Sequence, residues 1–228
     1  MLMDKEKTSL LTYLAEASKN EQDIPSIAEL SQILGVSIAS VREQLEVARQ
    51  LGFVDVKPRK GIQRRPFSLV PLISLGMNYG IYSEAHLLSD YIELRKHLEL
   101  SYWNDAFDVL KDDQMDYMQF LIDIAFRKLQ RKPAIIPTEE QSEFHLTLFR
   151  PLGNKVLISI LEAAWALEEN NGGKILADLD DMLSSWRTRQ IIVDALREKD
   201  KTKGKNALES LLALANKPKE ADITRRFE

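Results

Sequence analysis

Seven basic side chains lie between residues 42 and 65 (Arg42, Arg49, Lys57, Arg59, Lys60, Arg64 and Arg65) against three acids, Glu43, Glu46 and Asp55. From Val56 to Ser83 there is no acid at all, although the whole chain of 228 residues carries a net charge of −4. A basic segment on an acidic body is the charge asymmetry of a protein that meets phosphates at one end. The residues beside it have matching chemistry. Ser37, Ile38, Ala39 and Ser40 are short enough, or apolar enough, to let a helix approach a DNA groove closely. Arg42 is long enough to reach a base edge or a phosphate, and Ile38 can pack on a thymine methyl. Arg59 and Lys60, next to Gly61, suit a minor groove or flanking phosphates.

These side chains need helices and a hairpin to hold them. Lys5 to Lys19 places Leu10, Leu11, Leu14 and Ala17 on one stripe and predicts a supporting helix. Ser26-Ile-Ala-Glu29 fits a capping box and opens a second helix, with Ala28, Leu30, Ile33 and Leu34 as its apolar side and Gly35 as its end. Ser37 is the next N-cap. A third helix is predicted over residues 38–51, with Val41, Leu45 and Ala48 inward and Ile38, Ala39, Arg42 and Arg49 outward. Residues 53–56 alternate as a strand, residues 57–61 turn, and residues 62–65 return. The pattern is a winged helix-turn-helix. The candidate DNA-contacting residues are Ser26, Ser37, Ile38, Ala39, Ser40, Arg42, Arg49, Arg59, Lys60 and Gly61.

Beyond Pro66 to Pro71 the pattern is helical throughout: residues 83–110, 112–131, 138–149, 154–169, 176–199 and 204–216. Residues 83–110 place Leu87, Leu88, Tyr91, Leu94, Leu98 and Trp103 at core spacing, and Thr138-Glu-Glu-Gln141 reads as a second capping box. The expected fold is mostly α: three helices plus a small β-hairpin, then an antiparallel all-α bundle. The expected division is 1–66 for the DNA-binding head, 67–72 for a linker, 73–216 for the helical domain and 217–228 for a polar tail.

Chemistry of other kinds is poorly supplied. The chain has no cysteine, so it forms no disulfide and has no thiol nucleophile or thiolate ligand. It has no glycine-rich phosphate loop, no G-x-S-x-G and no H-E-x-x-H. The acid pairs Asp112/Asp113 and Asp180/Asp181 read as helix starts or solvated faces. An enzyme is not expected. No stretch reaches the ~20 apolar residues of a membrane span, and the first residues are unlike a signal peptide, so a cytoplasmic protein without a membrane partner is expected.

The run AELSQILGVSIASVREQLEVARQLGFVDVKPRKG resembles the head of GntR-family bacterial transcription regulators. Glu29, Leu30, Gly35, Val36, Ser37, Val41, Arg42, Glu43, Leu45, Gly52 and Gly61 carry the likeness. Ile38 and Ala28 stand where the family has DNA-touching arginines. The later segments YIELRKHLE (91–99), FHLTLFRPLGNKVL (144–157) and RQIIVDALREKD (189–200) resemble the FCD effector domain of the FadR subfamily. The resemblance implies a homodimer on a double-stranded operator, controlled by a small-molecule effector such as an organic acid or acyl compound.

Many FCD domains hold a divalent metal with an aspartate, a histidine one turn on, and two later histidines. Here those positions fall on Gln141, His145, Arg189 and Leu211, so neither a metal nor a cofactor is expected. His86 and His97 are away from the ligand positions. The candidate effector-binding residues are Arg95, Gln141, His145 and Arg189: either arginine can grip a carboxylate in a fork. Alternatively, Arg189 pairs with an acid such as Glu143 or reaches solvent, or an apolar pocket takes an acyl chain. A further alternative is a protein-interaction module that is without effector and uses a degenerate head.

Overall fold

Ser9 starts the first helix by accepting the Thr12 amide at 3.2 Å on its hydroxyl. Helix α1 (Leu10–Lys19) then buries Leu10, Leu14 and Ala17 along one stripe. The computed structural model describes residues 9–20, 22–57, 61–171 and 179–214. The helix starts later than the expected Lys5, because Ser9 is extended and acts as its cap. The chain divides into two compact units, Met1–Tyr79 and Gly80–Glu228.

In the first unit, α2 (Ile27–Leu34) opens with the expected capping box: the Ser26 amide donates to Glu29 Oε2 at 2.8 Å, and the Ser26 hydroxyl accepts the Glu29 amide at 3.4 Å. Its apolar side differs from the expected one. Ile27, Leu30 and Leu34, spaced three and four apart, meet the core, whereas Ala28 and Ile33 project outward. Gly35 ends the helix at φ 65°, where a side chain would be strained. Helix α3 (Ile38–Gln50) is capped by Ser37, which accepts the Ser40 amide at 3.1 Å, and it buries Val41, Leu45 and Ala48. Strands β1 (Val54–Lys57) and β2 (Gly61–Arg64) pair antiparallel, Val54 opposite Arg64 and Val56 opposite Ile62.

Helix α4 (Val70–Ser83) contains no charged residue. Residues 70–72 of the expected linker are its first turn. Pro71 is tolerated there because the first helical N–H groups have no partner in any case.

In the second unit, α5 (Leu87–Val109), α6 (Asp112–Leu129), α7 (Thr138–Phe149), α8 (Lys155–Asn171), α9 (Leu179–Glu198) and α10 (Lys201–Leu214) pack around Trp103, Met118, Ile122, Phe144, Phe149, Leu161, Trp186 and Leu208. A single 3-10 turn (Arg150–Leu152) joins α7 to the Gly153 bend. Three expectations need correcting. Leu94 is 47% exposed, because the inner face of α5 is Tyr91, Arg95, Glu99, Trp103 and Ala106. Thr138 makes no capping box: Pro137 occupies the cap, so the hydroxyl arrives one position too late. The last helix starts at Lys201, where Asp200 Oδ1 accepts the Lys203 amide at 2.9 Å, and Gly204 lies inside it against the Trp103 ring.

Candidate nucleic-acid interface and buried polar core

The face of the first unit is built from the start of α3 and from β2. A concavity of about 850 Å³ lies between them, lined by Ser26, Ala28, Ile38, Arg42, Gly61 and Arg64 among others. Ile38 is 45% exposed at its edge, and Ala39 and Arg42 are exposed beside it. Neither Arg42 nor Arg64 has an ion-pair partner among the described residues. The Arg64 Nε is also buried without an acceptor. Two unneutralised guanidiniums in one hollow favour an anion there, and Asp23 is the only acid along the lining among the described residues.

The other expected contacts are placed differently. The hydroxyls of Ser26 and Ser37 serve as caps, and Ser40 Oγ accepts from Gln44 Nε2 at 3.2 Å. Gln44 in turn accepts the Leu10 amide at 3.1 Å, which ties α3 to α1. Arg49 is held by Glu46 in a fork of 2.8 and 2.6 Å, with both side chains about half exposed. Arg59 and Lys60 lie outside the described residues. Sequence reasoning placed the wing's charge at the turn and missed Arg64. The strand register is the signal, because alternation puts residues 62 and 64 on one side of the hairpin.

The second unit encloses a chain of polar groups. Arg95 donates to Glu99 Oε1 at 2.8 Å and to Glu168 Oε2 at 3.0 Å. Glu99 Oε2 lies 2.6 Å from His145 Nδ1, and His145 Nε2 lies 3.3 Å from Arg189 Nη2. Arg95, Glu99, His145 and Arg189 are all 2% exposed or less. Arg95 stacks on Trp165 at 4.0 Å, and Arg189 lies over Trp186 at 4.6 Å. Gln141 is half-buried one turn before His145. Glu143 bonds Arg150, so the expected alternative partner of Arg189 is committed elsewhere, and Arg189 does not reach solvent.

The protonation states follow from this geometry. Burial alone would raise the Glu99 carboxyl, but the Arg95 charge and the hydrogen bonds of His145 and Arg95 outweigh it and hold it below its ordinary 4.5. Burial lowers His145 despite the carboxylate beside it. A neutral ring also satisfies both contacts: Nδ1–H donates to Glu99, and the Nε2 lone pair accepts from Arg189. With the ring neutral, Arg95 is the cation that keeps Glu99 ionised. Burial also brings Arg189 down to about 9, which still leaves it charged at neutral pH.

The donors outnumber the acceptors. Arg95 Nε, Arg189 Nε and Trp165 Nε1 are buried without an acceptor, and among the described residues no carboxylate oxygen lies within 4.0 Å of Arg189. A divalent metal does not fit this set. Both His145 nitrogens are engaged, a guanidinium occupies the second histidine's place, and Leu211 has no donor atom.

The model of the FCD domain matches residues 90–214, more than half of the chain. The HTH-type transcriptional repressor NanR of Escherichia coli is 25% identical over 214 residues, which cover 92% of this chain and 80% of that protein. NanR of Cronobacter sakazakii is 24% identical over 195 residues, covering 84% of this chain and 74% of its own. The solved structure of Streptococcus agalactiae GntR superimposes with a TM-score of 0.65 at 18% identity, covering 92% of this chain and 97% of that one, a likeness of fold.

Proposed function

This chain belongs to the FCD-domain family, and from that premise we propose that it is a GntR-family transcription regulator of the FadR subfamily. It binds double-stranded operator DNA as a homodimer in the cytoplasm and acts by binding rather than turnover. The observation that carries this reading is the hollow between α3 and β2, in which Arg42 and Arg64 present guanidiniums that no acid among the described residues neutralises. The NanR proteins it resembles are named as HTH-type transcriptional repressors, which supports the same reading. Ile38, Ala39 and Arg42 meet base edges from α3, while Arg59, Lys60 and Gly61 of the wing meet phosphates. Ser26, Ser37 and Ser40 position the helices that approach the DNA.

The effector is a small organic acid or acyl compound. It is held in the helical domain by Arg95, Gln141, His145 and Arg189. The surplus of buried N–H donors there supports an anionic group, because each unmet donor costs stability that an incoming oxygen would recover. Effector binding shifts the population of the DNA-competent state by its difference in affinity for the two states. Selection of random duplexes by the purified protein tests the DNA-binding reading. An enriched half-site is expected, with affinity falling by roughly 0.9 log units per phosphate contact for each tenfold rise in salt. Absence of enrichment, or a flat salt response, overturns it.

A further inference from the structure

We infer that Ile38 reads the methyl group of a thymine in the operator, an inference that rests on the DNA-binding reading above. Ile38 is the first residue of α3 and takes no part in the core of its unit, which draws on Val41, Leu45 and Ala48 from that helix. It is 45% exposed, and it opens into the same hollow as Arg42 and Arg64. Val56, 43% exposed, lines the hollow from the hairpin side and gives it a second apolar wall. An isoleucine has no hydrogen-bonding group, so it cannot pair with the polar edges of guanine, adenine or cytosine. The one apolar group that a base offers in the major groove is the thymine methyl.

The neighbours of Ile38 make that contact reachable. Ala39 follows it with a side chain too short to hold the helix away from the bases. Arg42 lies four residues on, hence on the same helical face. Its guanidinium, without an ion-pair partner among the described residues, anchors that face to a phosphate or an adjacent guanine. Arg64, whose Nε is buried without an acceptor, supplies a second cation from the wing side. The apolar residue therefore chooses the base, and the arginines hold the duplex against it.

The experiment starts from the duplex enriched by selection with the full chain. Each thymine in turn is replaced by deoxyuridine, which removes only the methyl group. One thymine per half-site is expected to be sensitive, with affinity falling about fourfold, the effect of leaving one methyl-sized group unburied. Ile38→Ala binds the thymine and uracil duplexes equally, and its salt dependence matches that of the unaltered protein, because no phosphate contact is lost. An enriched duplex that tolerates uracil at every position overturns the inference alone. So does a uracil penalty that persists in Ile38→Ala. Failure to enrich any duplex overturns the DNA-binding reading and this inference with it.

Discussion

His145 is bracketed: its Nδ1 lies 2.6 Å from Glu99 and its Nε2 lies 3.3 Å from Arg189. One neutral imidazole thus separates a buried carboxylate from a buried guanidinium that has no carboxylate partner among the described residues. The two ends of this bridge are expected to respond in opposite ways to truncation. Glu99→Ala removes one of the two carboxylates that Arg95 engages and leaves the imidazole N–H without its acceptor, and it should cost about 3–5 kcal/mol. Arg189→Met keeps the volume and removes an uncompensated buried cation, so it should be neutral or stabilising by roughly 1–4 kcal/mol. Urea unfolding of both variants measures the pair, and equal losses would refute the charge assignment.

Acid should destabilise the helical unit in two stages. His145 has a folded pKa below its ordinary 6.5, so the stability linked to its neutral form is present above 6.5 and is lost as the pH falls below it. Glu99 is depressed from 4.5 to about 2, so its contribution is present above 4.5 and is lost as the pH falls toward 2. Melting temperatures between pH 7.5 and pH 3 (about this range suffices) should fall throughout. Glu99→Gln should flatten the lower part of that curve. A pH-independent melting temperature would remove both assignments.

Operator binding should depend on the unpaired arginines more than on the paired one. Arg42→Ala and Arg64→Ala should each weaken binding about tenfold and reduce the salt slope by about 0.9. Arg49 already engages Glu46, so Arg49→Ala should have a smaller effect. Gel shifts at three salt concentrations distinguish these outcomes, and an unaltered affinity for Arg42→Ala would contradict the proposed interface.

Gly204 of α10 packs against the Trp103 ring of α5. A Cβ there would lie 2.5 Å from Trp103 Cζ2, on a ring whose Nε1 is tied to the Lys201 carbonyl at 3.1 Å. The ring therefore has little freedom to yield. Gly204→Ala should destabilise the helical unit by about 1–3 kcal/mol through overpacking, despite alanine's higher helix propensity. A raised melting temperature would show that α10 moves aside without penalty.

Local signals in the sequence determined the head in most of its detail. The Ser26–Glu29 box, Gly35, the Ser37 cap and the spacing of Val41, Leu45 and Ala48 are short-range features, and each appears in the structure where expected. The mostly helical character of the rest followed from periodicity for the same reason. The partners of charged side chains did not. Arg95 and Glu99 lie at i and i+4 on the inner face of α5, but their burial depends on Glu168 and Trp165 of α8, which are roughly seventy residues away. Likewise, Arg189 lies among rings, with no carboxylate partner among the described residues, because α7 and α9 bring Phe144, His145 and Trp186 around it. A helical period says which residues share a face. Which charges meet across two faces, and which are left over, depends on long-range packing, and only the tertiary structure decides it.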